Sequence, residues 1–238
     1  MQHNKVSKDI LLENIVPFYQ PIYVLENKRV DRYECLARLI EKNQVVSPDG
    51  FLYLVEGHRE SSALTSRMLE LSSVYCTPRQ INWSVNLFAS DLSNPSFLRN
   101  LKSRCSSSIK GLYGVEIKFE CLENNLATLR ELRKDIPNLH ITVDEIHEFS
   151  ESLLTLIKLG VNSVKIKAVA IKALSNSSEG CSQIQQLRET CNANACKLIA
   201  EHIEDEASLE VVLEQNILYG QGFYLSRPVP KVVALHSS

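Results

Sequence analysis

Eight short apolar runs punctuate this chain: Phe18–Val24, Tyr33–Leu39, Ile81–Phe88, Val115–Leu122, His140–Ile146, Ser163–Ala168, Lys197–Ile203 and Tyr219–Leu225. Each is bounded by Gly, Pro, Asn or charged residues, as buried strands are. Most are separated by stretches with apolar residues at helical spacing, such as Leu64, Met68, Leu71 and Val74, then Leu126, Leu129 and Leu132. Leu153, Leu156, Ile157 and Leu159, and later Ala207, Leu209, Val212 and Leu213, repeat that pattern. Such spacing marks helices packed on one side. Strands alternating with helices across 238 residues predict an α/β chain closed into a (β/α)8 TIM-like barrel. Only Leu25–Arg32 separates the first two runs, too short for a parallel crossover, so the first strand is predicted antiparallel.

No break in composition divides the chain. It reads as one barrel domain over 16–238 behind an N-terminal extension, 1–15. The segment Ser103–Ser108 reads as a surface loop ahead of Gly111, not as a linker. Lys and Arg total 26 against 28 Asp and Glu, a formal net charge of −2, which lacks the basic excess of a general nucleic-acid binder. No DNA partner is expected. The apolar stretch Ile10-Leu11-Leu12 is too short for a signal or a membrane span, so no membrane association is expected either. The 7 cysteines fall singly, with no C-x-x-C pair, and read as reduced, mostly buried thiols of a cytoplasmic protein.

A barrel strand is covered on both faces and should be almost wholly apolar, so its polar residues are informative. Here nearly every run holds one: Glu34, Asn86, Glu120, Asp144, Lys165, Glu201 and Gln221. Several sit toward the carboxyl end of their run, the end at which barrels place catalysis. Any one of them, alone, reads more simply as a satisfied or edge side chain. Together, carboxylates converging in one mouth repel unless a cation neutralises them. An oxygen-rich donor set suits Mg²⁺ or Mn²⁺ rather than zinc, and with a lysine alongside it suits phosphate-ester hydrolysis.

These residues bring a family into view. The chain resembles the bacterial EAL domain from about Val16 to Pro230, with the motifs in family order. Phe18-Tyr19-Gln20-Pro21-Ile22 is similar to the opening strand, and Glu34-Cys35-Leu36-Ala37-Arg38 stands where Glu-Ala-Leu-Leu-Arg is expected. Pro48 through Phe51 to Glu56, Ser84-Val85-Asn86-Leu87 and Phe119-Glu120-Cys121-Leu122-Glu123 follow. Asp144 and Lys165 lie 21 residues apart, the family's interval. Ala200-Glu201-His202-Ile203-Glu204 and Gln221-Gly222-Phe223-Tyr224 complete the series.

The resemblance implies a phosphodiesterase that opens cyclic di-GMP to pGpG with one or two ions of Mg²⁺ or Mn²⁺. It implies Glu34, Asn86, Glu120 and Asp144 around one ion, with Asp144, Glu145 and Glu201 on a second; Glu116 rivals Glu120 for the third of these metal positions, although its flanks fit the motif less well. It implies that Lys165 positions water or neutralises charge, that Glu201 accepts a proton, and that Gln221 orients the water. Gln20, Leu36 and Arg38 are implied to bind the dinucleotide, Arg38 through its fork of donors. It also implies a homodimer. On length alone no sensor module is expected, which leaves regulation to oligomerisation, expression or a protein partner.

The sequence departs from the family in the loop Asp144-Glu145-Ile146-His147-Glu148-Phe149, where Asp-Asp-Phe-Gly-Thr-Gly is usual. Glu145 pushes its carboxylate one methylene further, and two glycines have become His147 and Phe149. Positive φ there becomes costly. His202 replaces a glycine, Leu122 a threonine and Lys167 an aspartate. His147 reads as a surface residue, Trp83 as core and Cys121 as a small buried side chain. The altered loop supports a second reading, an inactive domain that binds cyclic di-GMP or a protein as a regulator.

Overall fold

The computed structural model describes residues 12–55, 58–105, 112–123, 125–146 and 149–232. Its strands are β1 Ile15–Val24, β2 Arg29–Glu41, β3 Gln44–Val46, β4 Trp83–Leu87, β5 Tyr113–Lys118, β6 His140–Ile146, β7 Ser163–Lys167, β8 Lys197–Glu201 and β9 Tyr219–Gly220. Its helices are α1 His58–Cys76, α2 Ala89–Leu92, α3 Pro95–Cys105, α4 Phe119–Glu123, α5 Leu126–Asp135, α6 Glu151–Lys158, α7 Ala168–Leu174, α8 Ser178–Ala193 and α9 Glu206–Glu214.

The strands run in the order β1-β9-β8-β7-β6-β5-β4-β2, and β1 pairs with β2 to close the ring. From β2 through β9 neighbours are parallel, whereas β1 is antiparallel to both β2 and β9. The barrel and its antiparallel first strand are as the run spacing predicts. β3 lies outside the ring as a hairpin on β2, turned by Lys42 and Asn43 at φ 49° and 63°. Two consecutive positive φ values suit the twist of a two-residue hairpin.

Period-two alternation sorts the strand residues. Val85, Val115, Ile117, Ile141, Val143, Val164 and Ile166 share one parity and are all buried. The opposite parity carries Ser84, Asn86, Gly114, Glu116, Thr142, Ser163, Lys165 and Glu201. The inner lining is therefore mostly polar, with Ile22 and Ile199 among its apolar members, and the main apolar core lies between strands and helices. Arg32 closes the floor, its Nη1 donating to the Trp83 carbonyl at 2.6 Å. Gly114 leaves room for it, since a Cβ there would stand 2.8 Å from that nitrogen. His140, also at the floor, bonds Ser163 Oγ at 2.9 Å. Trp83 is fully buried, as predicted.

Three predicted runs end early. Val115–Leu122 is a strand only to Lys118; Phe119, Leu122 and Leu129 are buried at helical spacing and turn the chain into α4 and α5. Lys197–Ile203 ends at Glu201, where His202 takes φ 55°. Tyr219–Leu225 is a strand only over Tyr219–Gly220. Cys121 is partly exposed on α4. Ser103 belongs to α3, not to a loop, and 106–111 lie outside the described residues. So do 1–11 of the expected extension, Glu56, and the loop residues His147 and Glu148.

Candidate active site

A cavity of about 630 Å³ opens at the carboxyl ends of the parallel strands. The side chain at its centre is Lys165, on the inner face of β7 and 1% exposed. Its Nζ lies 2.8 Å from Glu34 Oε2 and 2.6 Å from Glu116 Oε2. Asn86 Nδ2 donates to Glu34 Oε1 at 2.7 Å, and Gln221 Nε2 donates to Glu34 Oε2 at 2.8 Å. Ser84 Oγ donates to Glu116 Oε1 at 2.6 Å. Four strands thus feed one network, buried except at Asn86, because equal steps along a parallel ladder bring same-parity residues to one level.

Electrostatics follow from that packing. Burial opposes charge on Glu34, but the Lys165 ammonium and the bonds from Lys165, Asn86 and Gln221 outweigh it and hold the carboxyl below its usual range. Glu116 is pushed up to about 7, first by burial and then by the Glu34 charge, despite Lys165. Glu201 rises to about 8, again chiefly by burial, with Asp144, Glu34 and Glu116 adding to it. Lys165 is held well above its ordinary value; burial works against its charge, and Asp144, Glu116, Glu34 and Glu201 together overcome that. Glu201 Oε1 is buried with no hydrogen-bond partner.

Gln221 is held from behind. Its N–H donates to Ala200 O at 2.8 Å, and Ile203 N–H donates to its carbonyl at 3.1 Å. A Cβ on Gly222 would run into the backbone of Ile203, so only glycine lets the chain turn this closely. Gln221 Nε2 also reaches Gln20 Oε1 at 3.3 Å. Gln20, Leu36 and Arg38 line the same cavity. The Arg38 guanidinium donates to Ala37 O at 2.8 Å.

Of the site residues predicted from sequence, Glu34, Asn86, Asp144, Glu145, Lys165, Glu201, Gln221, Gln20, Leu36 and Arg38 all reach this cavity. Glu120 does not. It is exposed on α4, beyond the end of β5. Glu116 occupies the inner position instead, opposite Asn86 in the ladder and 1% exposed, beneath the cavity wall and joined to it through Lys165. The apolar spacing of Phe119, Leu122 and Leu129, read as a helix start, would have ended the strand early enough to choose Glu116. Lys118 and Lys167 also line the cavity, without having been singled out as ligand-binding residues.

Asp144 and Glu145 form a bulge. Val143 pairs with Val164 and Ile146 with Ile166, so two residues of β6 oppose Lys165 alone. Glu145 takes φ 53°, its N–H donates to Asp144 Oδ1 at 2.9 Å, and its Oε2 lies 2.8 Å from Lys118 Nζ. Among the described residues, no three His, Cys, Asp or Glu side chains are already arranged as a metal cage. The donor chemistry nevertheless fits a hard cation. Four carboxylates share the field of one buried ammonium, and one carboxylate oxygen is buried without a partner.

The fold is shared with solved structures. The FimX EAL domain of Pseudomonas aeruginosa, bound to cyclic di-GMP, superposes with a TM-score of 0.81 at 20% identity, covering 95% of this chain and 96% of that one. The Bacillus subtilis YkuI protein, with an EAL domain and in complex with cyclic di-GMP and calcium, gives 0.73 at 22%, covering 93% and 57%. In sequence, the cyclic di-GMP phosphodiesterase PdeF of Escherichia coli (strain K12) is 22% identical over 214 residues, which is 86% of this chain but 29% of PdeF. The chain thus spans under a third of that relative. The EAL domain profile matches residues 3–228. Through that match, over nearly its whole length, the chain belongs to the EAL domain family.

Proposed function

We propose that this cavity binds cyclic di-GMP and hydrolyses one of its phosphodiesters to give pGpG. The observation that carries the reading is the pairing of Glu34 and, beneath the cavity, Glu116 with Lys165, with Asp144 and Glu201 adding their charge from the cavity wall. Mg²⁺ or Mn²⁺ would be held by Glu34, Asn86, Glu116 and Asp144, with Glu201 beside them. Glu116 replaces Glu120 in that set because only Glu116 faces inward. When bound, the ion supplies Lewis-acid charge at the phosphate and acidifies a water.

The chain's own side chains do the rest. Lys165 fixes Glu34 and Glu116 in place and balances part of their charge. Gln221 and Asn86 clamp the two Glu34 oxygens from opposite sides. Glu201, with Oε1 unengaged, is positioned to take the proton of the attacking water. Water oxygen bonds to phosphorus, the bond from phosphorus to the ribose 3′ oxygen breaks, and that oxygen leaves with a proton. A homodimer acting in the cytoplasm belongs to the same reading, and sedimentation of the purified chain tests the dimer.

A second reading has its own observation. Glu145 is engaged by Lys118 on the rim of the cavity, which favours a receptor that holds cyclic di-GMP without turnover. Incubation of purified protein with cyclic di-GMP and Mn²⁺, followed by chromatography, separates the two. Formation of pGpG, abolished by Glu34→Ala, supports hydrolysis. Binding without pGpG supports the receptor, and absence of both rejects the cavity as a cyclic di-GMP site.

A further inference from the structure

Lys118 lies on the same face of β5 as Glu116 and two residues nearer the mouth, a step of roughly 7 Å. Its ladder partner is Asp144, and its ammonium pairs with Glu145 at 2.8 Å. Both members of that ion pair line the cavity, with side chains 49% and 37% exposed. Of the other cations there, Lys165 is buried between two carboxylates, Arg38 is turned onto its neighbour's carbonyl, and Lys167 stands at the end of β7, opposite Glu201 in the ladder.

A half-exposed ion pair contributes little to the fold, so an incoming anion can readily exchange for its carboxylate. The bulge at Asp144 and Glu145 is what brings that carboxylate to Lys118. An ammonium resting there also repels a divalent ion from Glu145, a residue that the family resemblance assigns to a second ion.

We propose that Lys118 is a phosphate-gripping residue of this cavity, displaced from Glu145 by the ligand and standing in for the charge of a second metal ion. The inference rests on the cyclic di-GMP reading of the cavity. It predicts that the ligand phosphate takes the place of the Glu145 carboxylate on Nζ, a charge-assisted contact in either state.

Calorimetric titration of the whole chain with cyclic di-GMP in EDTA provides the test. Wild-type protein is expected to bind with divalent ions chelated. Lys118→Ala should weaken binding by about tenfold or more, the loss expected for a hydrogen bond to a charged group. Lys118→Arg should stay within about threefold of wild type, and Glu145→Gln should bind at least as tightly as wild type, because its ammonium is already released. Thermal melts check that each variant is folded, which the exposure of both side chains favours. Unchanged affinity of Lys118→Ala beside a binding wild type overturns the inference and leaves the site reading intact. No binding by wild type, in EDTA or in Mn²⁺, removes the site reading, and the inference falls with it.

Discussion

Lys165 Nζ and Glu116 Oε2 lie 2.6 Å apart inside the barrel, and neither side chain is more than 1% exposed. One ammonium holds this carboxylate and that of Glu34 together, while Asp144 and Glu201 add their charge from the mouth. Removing the cation should therefore cost more than removing any one of its partners.

Lys165→Met leaves buried carboxylates without a counter-charge. Stability should fall by about 3 kcal/mol in urea titration at neutral pH, in the range found for broken buried pairs. The loss should be larger near pH ~8.5 than near pH ~6, because at low pH Glu116 and Glu201, held up near 7 and 8, shed charge by taking protons. A loss independent of pH would argue against this account.

Glu116→Gln and Glu120→Gln should behave oppositely. The first touches the inner network and should lower pGpG formation by about a hundredfold or more, as loss of a group acting at the reacting centre does. The second alters an exposed side chain on α4 and should leave turnover within about twofold. Steady-state rates with Mn²⁺ decide, and the reverse ranking would restore Glu120 to the ligand set.

Gly222→Ala puts a methyl group against the Ile203 backbone, which cannot give way as a side-chain tip would. The expected cost is about 2 kcal/mol, typical of overpacking. Because Gln221 is the preceding residue, kcat should fall as well; measuring both on one preparation tests whether the turn is as tight as the packing implies.

His140 gives a pH signature of its own. Burial, then Arg32, Lys197 and Arg133, hold its imidazole well below the usual range, so the folded protein keeps it neutral. Once unfolded it takes a proton below about pH 6.5, so the unfolded state binds more protons and stability falls as pH drops past that value. Between about pH 7.5 and 5 this amounts to at most about 2 kcal/mol. Glu116 and Glu201 work in the opposite sense, since their raised carboxyls bind protons in the fold. The difference between wild type and His140→Gln isolates the imidazole: the variant should lose less stability on acidification.

Much of the barrel was legible in the sequence because buried parallel strands must be apolar and short, and because Leu25–Arg32 is too brief for a crossover. His140–Ile146 was recovered residue for residue. What misled was the join between β5 and α4, where an apolar strand runs directly into a helix with no Gly or Pro to mark the change. Phe119 fits either element, and the Glu-x-x-Glu spacing of Glu120 and Glu123, which favours Glu120 over Glu116, falls on the helix side of that join. The pairing of Glu145 with Lys118 was also beyond reach, since it depends on a bulge whose register is set by β7. Gln20 and Gln221, by contrast, reach the cavity from opposite ends of the chain as their motifs implied.

The ring's two shortest joins flank its last strand, and one of them is the join to the first strand. Only Tyr23 with Gly220 and Val24 with Tyr219 pair there, helped by the Tyr19 and Val229 backbones further along. Gln20 and Gln221 straddle that same join. Anything that grips both amides at once acts as a rivet across the cylinder, so filling the mouth stiffens the circumference, and amide exchange at Tyr219 and Gly220 should slow before it slows anywhere else.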